Sequence, residues 1–471
     1  MSNSSLATKA ARRLASLPLK QIREAGIWRD RSSYFLNIAY PSMQAMETIS
    51  CADVYPYEVN KCDQKTVALY IHIPFCTSEC YYCHYYKQFG RSPEQVDTYL
   101  DAIEQELIIH KERFGKIYAA SVYVGGGTPS YMTAYQVDRL FQVVNNYITL
   151  LPKAEVSFEI HPENGTLEKL RILGEQGVNR INIGVESFND TLLVSENRRH
   201  TASEAVETFE RARALGFENI NLDLIYGLKD QKVFMWEESL SKVAQLLPAS
   251  TTMYYLRLKR GTPEFKLWKK SPETFPSDED LLLMHAMSFE KMEGELGYIQ
   301  NPVDWFIKDD FYFHTYQDFN WRRSDEVELL GIGASSYSYV NGWQYYNIND
   351  VKLYQEFIAK KTLPIWKGEF LSNEERMRRT VMLGLKMGID RELFYTTYET
   401  DVLEICTQTW EELSSLELID INHKYINLTY LGKLFADEVG QKFYSDDMKR
   451  RMALVDPDLV STTWPKFNPY R

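Results

Sequence analysis

The sequence contains no run of about 18 uncharged apolar residues, so nothing in it is long enough to cross a bilayer as a helix. It also lacks the apolar centre and cleavage site of a secretory signal. An acidic chain of 471 residues without such a signal is expected in the cytoplasm, where thiols stay reduced and the six cysteines do not form a disulfide framework. Positive charge is in the minority: 53 Lys and Arg stand against 65 Asp and Glu, a net charge of −12. That balance disfavours nucleic acid as the principal partner. There is no internal repeat, no low-complexity tract, and no G-x-G-x-x-G after the first expected strand, which removes the fingerprint of a dinucleotide-binding sheet. What is left, 44% hydrophobic, 25% charged and 14% aromatic residues, is a globular composition that excludes disorder and collagen.

Acid is absent from the first 23 residues, which carry Lys9, Arg12, Arg13, Lys20 and Arg23, with Leu6, Ala10, Leu14 and Leu17 at helical spacing. This is an amphipathic basic helix, read as an arm folded over the core in preference to an organelle transit peptide.

The cysteines are unevenly placed. Cys51, Cys62 and Cys406 stand singly and read as packed or surface thiols, whereas Cys76, Cys80 and Cys83 crowd into one loop as C-x3-C-x2-C. Three clustered thiolates in a reducing compartment point to metal, yet zinc usually wants a fourth ligand to close its tetrahedron. His84 directly follows Cys83, and adjacent residues rarely both reach one tetrahedral ion. A cubane iron–sulfur cluster is the better match, because three cysteines leave one iron open to chelate a small molecule.

Apolar runs near 67–73, 120–124, 155–160, 180–185, 219–225 and 252–258 predict strands, separated by helical periodicity near 93–114, 133–148, 166–176, 202–215 and 234–247. Such alternation specifies parallel strands with right-handed crossovers, in either a doubly wound sheet or a barrel. The polar residues favour a partial (β/α)6 barrel, because nearly every strand ends in something unusual: Cys76, then Gly125 to Pro129, then Glu159 and His161, then Glu186, with Asp223 in the fifth. Past residue 260 the alternation stops. Helices return from about 372, closing on a strand–turn–helix at 425–437 that resembles a winged-helix module and is read as a packing or lid domain. The expected organisation is an arm (1–65), the barrel (66–260), a substrate-shaping extension (261–371) and a C-terminal helical domain (372–471).

Each polar motif has a structural alternative. One glycine suffices for a turn, so Gly125, Gly126 and Gly127 followed by Thr128 suggest backbone amides and carbonyls facing a polar ligand. Glu159 and Glu186 either meet a ligand or pair with Arg180 or Arg198, and Asp223 in an apolar strand needs a hydrogen-bonding partner such as a ligand hydroxyl. His72 and His161 read as structural. Tyr81, Tyr82, Tyr85 and Tyr86 either shield a cluster or stack on a flat substrate.

In order along the chain, Tyr70-Ile-His-Ile-Pro-Phe-Cys76, the cysteine loop, Gly125-Gly-Gly-Thr-Pro129, Glu159-Ile-His-Pro162, Gly184-Val-Glu-Ser-Phe188, Asn197-Arg198, Asp223-Leu-Ile-Tyr-Gly-Leu228 and Gly331-Ile-Gly-Ala-Ser335 resemble a radical S-adenosylmethionine (SAM) enzyme of the oxygen-independent coproporphyrinogen III dehydrogenase-like group. The likeness runs from about 65 to 340, with a weaker C-terminal match. It implies a [4Fe–4S] cluster on Cys76, Cys80 and Cys83 whose free iron binds SAM, and one-electron cleavage to a 5′-deoxyadenosyl radical that abstracts hydrogen. It implies cofactor contacts from Tyr70, Gly125, Gly126, Gly127, Thr128, Glu159, Glu186, Arg198 and Asp223, with Arg198 pairing the SAM carboxylate. It also implies two SAM molecules, a small-molecule substrate and an electron donor such as flavodoxin or ferredoxin. No catalytic residue is assigned.

Two departures bear on the subgroup. The dehydrogenases carry a further cysteine where this chain has Tyr85, and Gln where it has Glu186; the haem motif His-Asn-x-x-Tyr-Trp of the related chaperones is absent. Cys83-His-Tyr-Tyr-Lys87 resembles the class C radical methyltransferases and cyclopropane-forming enzymes. The leading expectation is therefore transfer of a SAM-derived carbon to an sp2 carbon, by methylation or cyclopropanation. The alternatives are a porphyrin enzyme, either coproporphyrinogen dehydrogenase or haem-degrading, and a haem chaperone.

Overall fold

The computed structural model describes residues 5–31, 40–56, 63–322 and 327–454; Cys62 and the last 17 residues of the expected C-terminal domain lie outside them. Helix α1 (Leu6–Ala15) precedes the alternating series β1 (Gln64–Ile73), α2 (Pro93–Phe114), β2 (Lys116–Gly126), α3 (Ala134–Tyr147), β3 (Ile148–Ile160), α4 (Leu167–Glu175), β4 (Arg180–Glu186), α5 (Ala202–Ala214), β5 (Asn219–Tyr226), α6 (Val233–Leu246) and β6 (Ser250–Tyr255). There follow α7 (Pro263–Lys270), α8 (Asp278–Phe289), α9 (Thr315–Arg322), β7 (Glu328–Ile332), β8 (Tyr337–Val340), β9 (Trp343–Asn347), α10 (Val351–Ala359), β10 (Ile365–Phe370) and α11 (Asn373–Gly384).

Local chemistry sets the boundaries. Helix α2 starts at a capping box of Ser92 and Gln95 with Pro93 in its first turn, and stops at Gly115, whose φ of +64° ends it without strain. Strand β1 is buried continuously from Val67 to Ile73, the signature of a parallel strand covered on both faces.

The strands β1 to β6 are parallel and adjacent in the order of the sequence, with no reversal. A doubly wound sheet reverses at a switch point; an unreversed series curls into a partial barrel. Residues after 260, where alternation fails, complete the sheet at both edges. Strand β7 joins β1 in parallel, with Leu330 opposite Leu69, and β8, β9 and β10 follow in antiparallel order. On the far side a hairpin strand, Trp305–Ile307, pairs antiparallel with β6. The extension is thus part of the same 13-stranded sheet. Its strands are short and hairpin-linked, so they lack the strand–helix rhythm by which the others are read.

The C-terminal part carries α11, further short helices and a three-stranded antiparallel sheet of Ile389–Asp390, Tyr425–Leu428 and Ile419–Ile421. The expected strand–turn–helix is there: Thr429 caps Tyr430–Leu434 directly after the Tyr425–Leu428 strand. Helix α1 lies on α8 with Leu6, Ala10 and Leu14 buried. Its basic face pairs outward, Lys9 with Glu295 and Arg13 with Glu290, both at 2.8 Å, and the Arg13 guanidinium sits 3.5 Å from the centre of the Tyr430 ring. Among the described residues no helix is long and apolar enough to cross a membrane.

Candidate functional site

The cysteine loop springs from the C-terminal end of β1. Its base is fixed by a small parallel pairing of Phe75–Cys76 with Gln88–Phe89. Its tip is fixed by Cys83 N–H donating to the Cys80 carbonyl (3.1 Å), Tyr81 N–H to the Glu196 carbonyl (3.2 Å), and the Asn197 amide to the Glu79 carbonyl (2.6 Å). Two donors address the sulfurs: the Thr128 hydroxyl lies 3.4 Å from Cys76 Sγ, and Arg198 Nη1 lies 3.7 Å from Cys80 Sγ. Burial pushes the Cys76 thiol up to about 12 and raises Cys83 as well. Left as thiols they would hold their protons; a bound cation turns them into thiolates outright. Among the described residues no three His, Cys, Asp or Glu side chains converge as ligands of one ion, so the trio is not arranged as a single-zinc site. His84 stacks on Tyr85, ring centres 4.5 Å apart. A donor set of three sulfurs in one loop, with hydrogen-bond donors aimed at two of them, suits a cubane cluster with an open corner.

Beside the loop, the strand ends place acids and tyrosines around the barrel lumen. Tyr123 donates to Glu159 at 2.6 Å, the Gly126 amide to its other oxygen at 3.2 Å, and Tyr70 hydrogen-bonds His72 Nδ1 at 2.9 Å. Asn221 donates to Asp223 at 2.7 Å. Burial is the main cause that raises Glu159 to about 7, Glu186 to about 7 and Asp223 to about 6; Asp223 raises both glutamates further, and Glu186 raises Glu159. Tyr85 (46% exposed) and Tyr254 (40% exposed) both interact electrostatically with Glu159 and Asp223, so an accessible opening leads to this layer.

The glycines have a different first duty from the one read in the sequence. A Cβ on Gly125 would meet Tyr123 at 2.6 Å, on Gly126 the His72 ring at 2.7 Å, and on Gly127 the Pro74 backbone at 2.9 Å. Gly126 also takes a φ of +117°. The amides of Gly127 and Thr128 donate to the carbonyls of Ile73 and Phe75. These N–H groups are therefore engaged within the protein, and carbonyls are the backbone groups suited to a ligand ammonium. Glu186, at a φ of +62°, lies 3.7 Å from Arg198, whose guanidinium also donates to the Gly184 carbonyl. Among the described residues Glu159 pairs with no arginine; Tyr123 serves it instead. His72 is buried and bonded as a structural histidine, and His161 caps a turn and packs edge-on to His200.

A second polar layer below went unread in the sequence. Arg180, fully buried, donates to Asn182, Asn219, Ser250 and the Tyr312 carbonyl. Glu155 pairs with His314 at 2.8 Å and accepts the amides of Thr315 and Tyr316 at the start of α9. His314 and Tyr316 both stack on Tyr123, and Tyr316 lies tilted against Tyr70. The segment leading into α9 therefore floors the lumen. Only the period-2 polar pattern of Arg180, Asn182 and of Asn219, Asn221, Asp223 hinted at it.

A family model of the radical SAM superfamily matches residues 70–243, and one of the HemN C-terminal domain matches residues 371–435. The chain is 32% identical to the heme chaperone HemW of Bacillus subtilis over 80% of this chain and 99% of that one. It is 26% identical to the oxygen-independent coproporphyrinogen III oxidase of Escherichia coli over 80% and 85% of the two chains. The solved structure of that enzyme, HemN, superposes with a TM-score of 0.71 over 85% of this chain and 92% of its own, at 26% identity. A sheet with a three-cysteine loop at the mouth of a partial barrel is thus the scaffold of a radical SAM enzyme. The chain belongs to the radical SAM superfamily, within its HemN-like group, and that family implies a [4Fe–4S] cluster and SAM.

The expectation of methylation or cyclopropanation is overturned by these matches, which run almost end to end along the haem chaperone and most of the length of the oxidases. It rested on Tyr85 and the short Cys83-to-Lys87 stretch. In the structure Tyr85 is a ring at the lumen opening, stacked on His84, and one side chain at that rim does not define the reaction.

Proposed function

We propose that this protein is a radical SAM oxidoreductase acting on a tetrapyrrole in the manner of coproporphyrinogen III oxidase. The single observation behind this reading is the superposition on HemN over 85% of this chain and 92% of that one, which is more than the barrel alone could supply. Cys76, Cys80 and Cys83 would hold the cluster, which together with SAM would supply one-electron, hydrogen-abstracting radical chemistry.

The chain's own residues position and shield. Arg198 and Thr128 stabilise negative sulfur at the cluster loop. Tyr70, the Gly125–Thr128 turn, Glu159, Glu186 and Asp223 are assigned to the polar groups of SAM, with the lumen carboxyls accepting from its amino group and ribose. Two SAM molecules are part of the proposal, and bound SAM should reach two per chain by equilibrium dialysis. The floor of Arg180, Glu155 and His314 closes the lumen against water from below.

Anaerobic incubation of the reconstituted protein with SAM, a reductant and coproporphyrinogen III tests the reading. Loss of carbon dioxide from the substrate with one 5′-deoxyadenosine per event is expected. An unchanged substrate would refute it. A second reading, haem carriage without turnover, is favoured by the 32% identity to the heme chaperone HemW over nearly its full length. It predicts stoichiometric haem binding and no decarboxylation.

A further inference from the structure

The charge of −12 on this chain is a poor match for an acidic partner, yet one helix beside the cysteine loop reverses the sign. Helix α7, Pro-Glu-Phe-Lys-Leu-Trp-Lys-Lys, exposes Lys266, Lys269 and Lys270. None of the three forms an ion pair among the described residues. The helix's one acid, Glu264, is turned inward and only 2% exposed. It lies against Glu196, also buried, and burial together with this neighbour pushes the Glu196 carboxyl up. Lys229 faces the same pair and Lys232 stands nearby; the acids around these segments are Asp230, Glu273 and, across the cleft, Asp30, Asp278 and Asp280.

The position of the helix matters as much as its charge. The Glu264 amide donates to the carbonyl of Tyr81, the residue next to Cys80, at 3.4 Å. At about 1.5 Å per residue, Lys270 stands only about 9 Å further along the axis. Tyr81 itself is 38% exposed, giving the loop an edge at the surface. Trp268 is half-buried on the wall of an open cleft of about 790 Å3, with the Lys269 ammonium 5.2 Å from the centre of its ring. That cleft also holds Asp30, Glu273, Asp278 and Asp280, so the basic surface is the lysine face of the helix itself and not the cleft.

We propose that the lysine face of α7, with the exposed edge of Tyr81, docks a small acidic one-electron carrier protein. This rests on the reading that a cluster on Cys76, Cys80 and Cys83 must be reduced from outside. Oppositely charged patches steer such an encounter and orient it, and the carrier would arrive where the loop is thinnest.

The test uses a flavodoxin as the carrier and the full, cluster-loaded chain. Calorimetric titration should show binding that weakens about tenfold from low to physiological salt. The triple variant Lys266→Glu, Lys269→Glu, Lys270→Glu should bind about tenfold or more weakly at low salt and lose the salt dependence. Bleaching of the cluster by reduced flavodoxin should slow in parallel, while bleaching by dithionite should match the wild type. Lys360→Glu, Lys361→Glu, remote and exposed, controls for net charge and should bind as the wild type does. Equal binding by the triple variant, or an equal loss in the control, would overturn the proposal. If dithionite-reduced protein fails to cleave SAM, the radical reading fails and the titration still decides the docking site.

Discussion

Glu106 shows how much one buried side chain can organise. It sits on α2, is fully buried, and accepts from the Gly333 amide (2.8 Å), the Asn347 amide (2.8 Å) and the Tyr354 hydroxyl (2.7 Å). It thereby wires the Gly331–Ser335 segment, β9 and α10 to the first barrel helix. Burial raises its carboxyl from 4.5 to about 7. The folded state therefore binds a proton that the unfolded chain has already released, and stability falls as pH rises through that window, by about 3 kcal/mol in all. Urea unfolding of the wild type and Glu106→Gln should show this: the wild type loses that amount relative to the variant between about pH 4.5 and 7. Parallel pH profiles would sink the assignment. Gly126→Ala is the second test at this scale. A methyl group at a φ of +117° and against the His72 ring should destabilise the protein by about 2 kcal/mol or more and abolish SAM binding by calorimetry.

At the scale of elements, the barrel strands were legible because two regularities coincide in them. Continuous apolar runs mark strands covered on both faces, and helices of 9 to 22 residues separate them, all but α6 with a side-chain cap at the N-terminus. The C-x3-C-x2-C spacing was legible for a chemical reason, since three thiols in one loop suit few ions. The floor of the lumen was not. Arg180 read as a partner for Glu159 or Glu186 and position 155 only as the start of a strand, and the partners found, Ser250, Tyr312 and His314, lie far away in sequence. If Glu155 and His314 hold the segment leading into α9 in the lumen, His314→Ala leaves a buried carboxylate without its hydrogen-bond partner and should cost about 2 kcal/mol. Thermal unfolding would read it, and Glu155→Gln combined with His314→Ala should recover part of the loss.

Over the whole molecule, the pieces are tied by long-range contacts that cross the expected segments. Helix α1 reaches α8 and Tyr430, and Lys433 pairs with Glu293 at 3.0 Å, so the N-terminal arm, the extension and the C-terminal part share one packed edge. Deleting residues 1–16 uncovers the apolar face of α8 against which Leu6 and Leu14 lie. It should lower the unfolding midpoint by about 5 °C, and an unchanged midpoint in differential scanning calorimetry would show the arm to be dispensable.

The sequence by itself determined the parallel alternation, the cysteine loop and the acids at the strand ends, because each depends on residues close together along the chain. Only the tertiary structure decided that β7 closes against β1, that three glycines are shaped by Tyr123, His72 and Pro74, and that a lysine helix borders the cluster loop. These are meetings of segments far apart in sequence, and the burial that fixes them acts on surfaces that no local pattern spells out.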